Sequence, residues 1–172
     1  MKVALVVSGL AALASGMAVE KRDGTCAVQP LGSGPSVNSP DTPAAFQSNE
    51  DFSNFATSAT TPTNYTPAFV NLNAATRGNN YMGSTLLTTY EPSQCASFCS
   101  QTVGCSAFNL YFERDPSLDP NAVGCPNPTS VTNIKCILWG NALTDETATN
   151  AGQFRNSFQV VIAGSNGYNL NN

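Results

Sequence analysis

Six cysteines, at positions 26, 95, 99, 105, 125 and 136, are the side chains best suited to covalent or metal chemistry. Three of them crowd into CASFCSQTVGC, residues 95–105, and the other three stand far apart. A structural zinc site asks for thiolates in close pairs, often with histidine, and this chain has no histidine. A redox dithiol would place two residues between its sulfurs at a strand-to-helix junction, whereas Cys95 and Cys99 are separated by three. No metal and no cofactor is therefore expected. An even number of cysteines in an oxidising compartment predicts three disulfides, and spacing alone leaves their pairing open.

The missing histidine also removes the Ser-His-Asp and Cys-His arrangements and the commonest general base. Paired carboxylates could still hydrolyse a glycoside. The candidates are Glu113 with Asp115, and Asp145 with Glu146. Glu113 adjoins Arg114 and reads as a solvated ion pair at a strand end; Asp145 and Glu146 read as the start of a helical turn. The loop DPSLDPN puts Asp115, Ser117, Asp119 and Asn121 at calcium-loop spacing. Pro120 and Pro126 stand where that loop needs glycine and glutamate, so it reads as a rigid turn. The chain is not expected to be an enzyme. For binding, Trp139, Tyr111, Tyr81 and Tyr168 offer rings on which a sugar could stack, with Trp139 expected in the core. Asn109 and Tyr111, with Glu113 and Arg114, form the candidate ligand surface.

These residues need elements to hold them. Residues 1–18 have the basic start, short apolar run and small residues of a signal peptide cleaved after Ala18, and the run is too short to span a bilayer. Residues 19–22 read as a short propeptide ending in a Lys21-Arg22 processing site. Cleavage there leaves four cations against ten acids, a net charge of −6. No basic cluster remains to hold phosphates, so nucleic acid and anionic membranes are not expected partners. The polar ending GSNGYNLNN lacks the apolar tail of a lipid-anchor signal. A secreted protein, extracellular or in a cell wall, is expected.

Residues 23–66, rich in Pro, Ser, Thr and Asn, read as an N-terminal arm, with a short helix possible around Phe46, Phe52 and Phe55. Asn64-Tyr65-Thr66 is a glycosylation sequon. Beyond it, 67–72, 82–90, 106–113, 133–139 and 157–164 read as strands. Pro92 opens a helix that Gly104 ends, with Cys95, Phe98, Cys99 and Thr102 on one face. In the strand SAFNLYFE, Phe108, Leu110 and Phe112 alternate with Ala107, Asn109, Tyr111 and Glu113. One α-helix packed across an antiparallel β-sheet, an α+β fold, is the expected architecture, occupying 67–168 with a short tail at 169–172.

The segments YEPSQCASFC, GCSAFNLYFERDP, NIKCILWG and QFRNSFQVVIAGSNGY resemble the PAN/apple domain, in the apple-like form found in secreted fungal proteins. The resemblance spans roughly Tyr81 to Tyr168. It implies that the helix's first cysteine bonds a central strand and its second a nearby cysteine, which carries over as Cys95–Cys136 and Cys99–Cys105. Cys26–Cys125 then follows by exclusion and would tie the arm to the 114–128 loop. It further implies adhesion or recognition in general, and the expected function is that of a non-catalytic module, a monomer, binding extracellular protein or cell-wall polysaccharide. A secreted effector acting on a host, or a structural wall glycoprotein, is the alternative.

Overall fold

A computed structural model describes residues 25–30, 32–37 and 39–171. The expected signal peptide and the expected processing site at Lys21 and Arg22 lie outside the described residues. In chain order the elements are α1 (Pro43–Gln47), α2 (Glu50–Ser58), β1 (Tyr65–Leu72), β2 (Tyr81–Leu87), α3 (Pro92–Gln101), β3 (Ala107–Pro116), β4 (Ser130–Trp139), β5 (Gly152–Arg155) and β6 (Phe158–Leu170). The fold is α+β. Its six-stranded antiparallel sheet has the order β1-β6-β3-β4-β2, with β5 pairing the remaining length of β6. Pro67 sits in β1 at an edge of the sheet, where a missing N–H costs no ladder bond.

Three disulfides join Cys26 to Cys125, Cys95 to Cys136 and Cys99 to Cys105. The second pins α3 to β4; the third closes the turn by which α3 hands the chain to β3. Gly104, at φ +85°, lets that turn reverse within a few residues. The buried stripe of α3 is Pro92, Cys95, Ala96 and Cys99, while Phe98 is 43% exposed. Phe98 therefore does not share the sulfurs' face as expected; the two disulfides rotate the helix so that Ala96 packs inward instead.

The alternation along β3 sorts its two sides. Phe108, Leu110 and Phe112 face the helices and form the main core with Ile134, Cys136, Leu138 and Tyr168. Phe112 is sandwiched by Phe52 and Tyr90, with ring centroids 4.5 and 4.7 Å away, and Phe46 packs on Phe52 at 4.6 Å. Within the expected arm, residues 43–65 therefore pack into the main core. Phe46 and Phe52 are fully buried and Tyr65 nearly so, so the expected boundary at 67 divides one core. Three helices cover this face, α1 and α2 standing where one short helix was expected, because the spacing of Phe46 and Phe52 gives both an apolar side to bury. Thr42 caps α1 and Asn49 caps α2 through side-chain oxygens. Nor is 169–172 wholly a tail, since β6 runs to Leu170 against β1.

Gly164 shows how closely α2 approaches the sheet. It lies at φ +56° in a bulge of β6, and a Cβ there would come 2.8 Å from the Phe52 carbonyl oxygen. The Tyr90 hydroxyl donates to the Gly164 carbonyl at 2.6 Å, fastening the bulge to the start of α3.

Candidate functional site

The other side of β3 carries Asn109, Tyr111, Glu113 and Asp115, and it is not open to solvent. Segments 73–77 and 143–150 lie over it, paired to each other by reciprocal Ala75–Asn150 hydrogen bonds of 2.9 Å. Asn109 is fully buried: its Oδ1 accepts from the Thr76 N–H at 2.8 Å, and its amide donates to Ser165 Oγ and the Asn166 carbonyl, both at 2.9 Å. Tyr111, 4% exposed, packs with Ala75 and Ile162. The expected ligand surface of Asn109, Tyr111, Glu113 and Arg114 is thus corrected. All four are buried, the first two as the floor beneath the covering loops.

Glu113 and Arg114 do not pair, because neighbours on a strand point to opposite faces. Glu113 accepts from Lys135 Nζ on β4, and the same ammonium lies 3.7 Å from Asp115 Oδ2. Asn133 Nδ2 also donates to that Asp115 oxygen, at 2.7 Å. Burial, reinforced by the Asp115 charge, pushes the Glu113 carboxyl up to about 7 although Lys135 opposes the rise. Burial works against the Lys135 ammonium, but the Glu113 and Asp115 carboxylates outweigh it and raise its pKa. The Tyr111 hydroxyl is held well above its usual range by burial and by the same two carboxylates.

On the helix side Arg114 donates to Asp41 Oδ1 at 2.7 Å and to the Gln159 carbonyl at 2.8 Å, and its guanidinium lies over the Phe158 ring. Asp41 also accepts from the Ser130 N–H and hydroxyl. Burial disfavours its charge, yet the bonds from Ser130 and Arg114 prevail and hold the carboxyl below its ordinary value. Asp41 therefore clips the N-terminal segment across β3 and β4. Arg114 is a structural residue rather than a ligand contact.

The remaining expected positions separate cleanly. Asp145 and Glu146 are exposed in a 3-10 turn. Asp119 Oδ1 accepts from the Asn121 backbone, an Asx turn, while Asp115 is buried in β3, so the calcium-spaced residues do not converge. Asn64 is exposed on the turn before β1. No helix among the described residues is long and apolar enough to cross a membrane. Of the four rings, Tyr111 and Tyr168 are buried, whereas Tyr81 is 58% exposed and meets Trp139 edge-on at 6.0 Å.

That pair borders an opening that sequence reasoning missed. A cavity of about 170 Å³ is lined by Thr76, Asn79, Trp139, Asn141, Leu143 and Thr147, none of them charged. Two of its lining residues each carry a buried atom, Thr76 Oγ1 and Trp139 Nε1, that makes no hydrogen bond with the described residues. Leaving such a group unpaired costs about 1–3 kcal/mol, so folding alone does not favour it. The walls are held in place. Asn169 Oδ1 accepts from the Leu143 N–H at 2.7 Å and its amide donates back to the Leu143 carbonyl at 2.9 Å, while the Arg77 N–H donates to the Thr147 carbonyl. One signal was legible in the residues, the aromatic Tyr81 among amides in RGNNYMG, but only the loop crossing brings Thr76 to Trp139. No family model matches this chain, and neither the curated proteins nor the solved structures offer a match.

Proposed function

We propose that this protein is a secreted, non-catalytic binding module of the apple-like kind, and that it takes a neutral carbohydrate at the Trp139 cavity. The observation that carries this reading is the pair of unpartnered buried polar atoms, Thr76 Oγ1 and Trp139 Nε1, in two residues that line an uncharged opening. A hydroxyl of the ligand can accept from the indole N–H and exchange a hydrogen bond with the threonine. Asn79 and Asn141 add amide donors and acceptors, and the exposed Tyr81 ring, outside the lining but edge-on to Trp139, gives an apolar plate for a pyranose face. The cavity holds one ring rather than a drug-sized ligand. Three disulfides, and the absence of histidine from the sequence, support an extracellular and non-catalytic role.

The test is binding of the mature protein to an array of neutral and charged glycans, followed by titration of the strongest neutral ligand. Thr76→Val keeps the side chain's shape and removes its hydroxyl. It should weaken binding about two- to tenfold while leaving the fold intact. Tyr81→Ala should weaken binding further. An array without neutral-glycan binding, or full affinity in both variants, would overturn the reading.

A further inference from the structure

The Trp139 cavity has a counterpart on the same face of the sheet. Along β4, Asn133, Lys135, Ile137 and Trp139 point the same way, and the strand carries the chain about 20 Å from Asn133 to Trp139. The edge strand β2 lies beside them in register: Tyr81 opposite Trp139, Ser84 opposite Ile137 and Leu86 opposite Lys135. Tyr81, Ser84 and Leu86 are all exposed. The far end of this strip is a crevice of about 280 Å³ that includes Asn133, Asp115, Lys135 and Arg155. Asn133 is 5% exposed; its amide is used on Asp115, but its Oδ1 makes no hydrogen bond with the described residues. The residue at each end of the strip therefore carries a buried unmatched polar atom, a donor in Trp139 and an acceptor in Asn133.

We propose that the cavity and the crevice are the two ends of one groove, and that its ligand is a linear neutral oligosaccharide lying along β4. The inference rests on the carbohydrate reading above and extends it from one ring to a chain. A single sugar cannot reach both ends. A chain can meet both, passing over Ile137 and Ser84. At the Asn133 end the Lys135 ammonium is held by Glu113 and Asp115 and the Arg155 guanidinium donates to Gln29, so no cluster of free charges is there to select a charged polymer. The donor at one end and the acceptor at the other give the bound chain a direction.

Ligand length and a plug at Ser84 test this. The probes are β-1,3-linked gluco-oligosaccharides and chito-oligosaccharides, from disaccharide to hexasaccharide, titrated against the mature protein. The hexasaccharide of the accepted series should bind at least about tenfold more tightly than the disaccharide. Ser84→Leu, on the exposed edge strand, should reduce the hexasaccharide to disaccharide affinity and leave the disaccharide unchanged, whereas Ser84→Ala should behave as wild type. Equal affinity for short and long chains, or a Ser84→Leu variant that keeps the length advantage, overturns the groove and leaves the Trp139 cavity standing. Binding of neither series at any length removes both. If Ser84→Leu fails to fold, the length series of the wild-type protein still decides.

Discussion

The two faces of the sheet are built on opposite principles. The helix face is a continuous aromatic and aliphatic core, in which Phe52, Phe112 and Tyr90 stack at 4.5 to 4.7 Å and the buried Cys95–Cys136 bond holds α3 in place. The loop face is covered by irregular chain and holds an ion cluster, a network of asparagines and three of the four buried side-chain polar atoms without partners among the described residues: Thr76 Oγ1, Trp139 Nε1 and Asn133 Oδ1; the fourth, the Tyr65 hydroxyl, belongs to the helix-face core. The first face is dominated by apolar burial; the second retains more of the polar groups that stability alone would remove. The difference teaches where to look for a ligand: on the face where most of the incomplete hydrogen bonding is concentrated.

Truncation is the strongest way to break this comparison. Phe112→Ala on the helix face empties the centre of the aromatic stack and should destabilise the protein by about 3–5 kcal/mol, read from urea unfolding. A cost below about 1 kcal/mol would mean that the stack is not the centre of the core.

A smaller effect belongs to Glu113. Its carboxyl is raised to about 7 in the folded protein from an ordinary value of 4.5. A folded state that holds its proton more tightly gains stability at low pH. The contribution is complete below about 4.5 and lost as pH rises through 7. Stability should therefore fall by about 1–3 kcal/mol between those limits, and Glu113→Gln should flatten the decline. Asp41 acts in the opposite sense, its contribution present above the ordinary carboxylate value and lost as pH falls through its lowered one. Unfolding midpoints measured from pH 4 to pH 8 in both proteins check the assignment, and an identical slope in the variant would contradict it.

The smallest stability effect is the most telling. Thr76→Val removes a buried hydroxyl that the protein does not use and should leave stability unchanged or raise it by up to about 1 kcal/mol. Together with the expected loss of binding, that gain would sharpen the contrast between a face that stabilises and a face that recognises. Destabilisation beyond about 1 kcal/mol would show that the hydroxyl serves the fold.

Much of the helix face was legible in the residues. The period-two alternation of Phe108, Leu110 and Phe112 identified β3 and its inward side, and Pro92 marked the start of α3. Phe46, Phe52 and Phe55 hinted at a short helix packing back on the domain, though not at two helices, α1 and α2, sharing the main core. The same alternation, applied one residue further, separates Glu113 from Arg114, since adjacent strand residues cannot share a face. What could not be read was the cover over the other side, because nothing in segments 73–77 and 143–150 is periodic. Their placement depends on the side chains of Asn109 and Asn169 and on the Ala75–Asn150 pairing, all formed between residues distant in the chain.

Sequence by itself determined the α+β class, the strands and their alternation, and the presence of sulfurs suited to pairing with one another, because these follow from local periodicity, composition and compartment. Tertiary structure alone decided that Lys135 and not Arg114 neutralises Glu113, that Tyr111 is covered while Tyr81 is bare, and that Thr76 meets Trp139 across an open cavity. Those outcomes depend on which strands become neighbours and which loops cross them, and the energies that choose are summed over the whole packed chain.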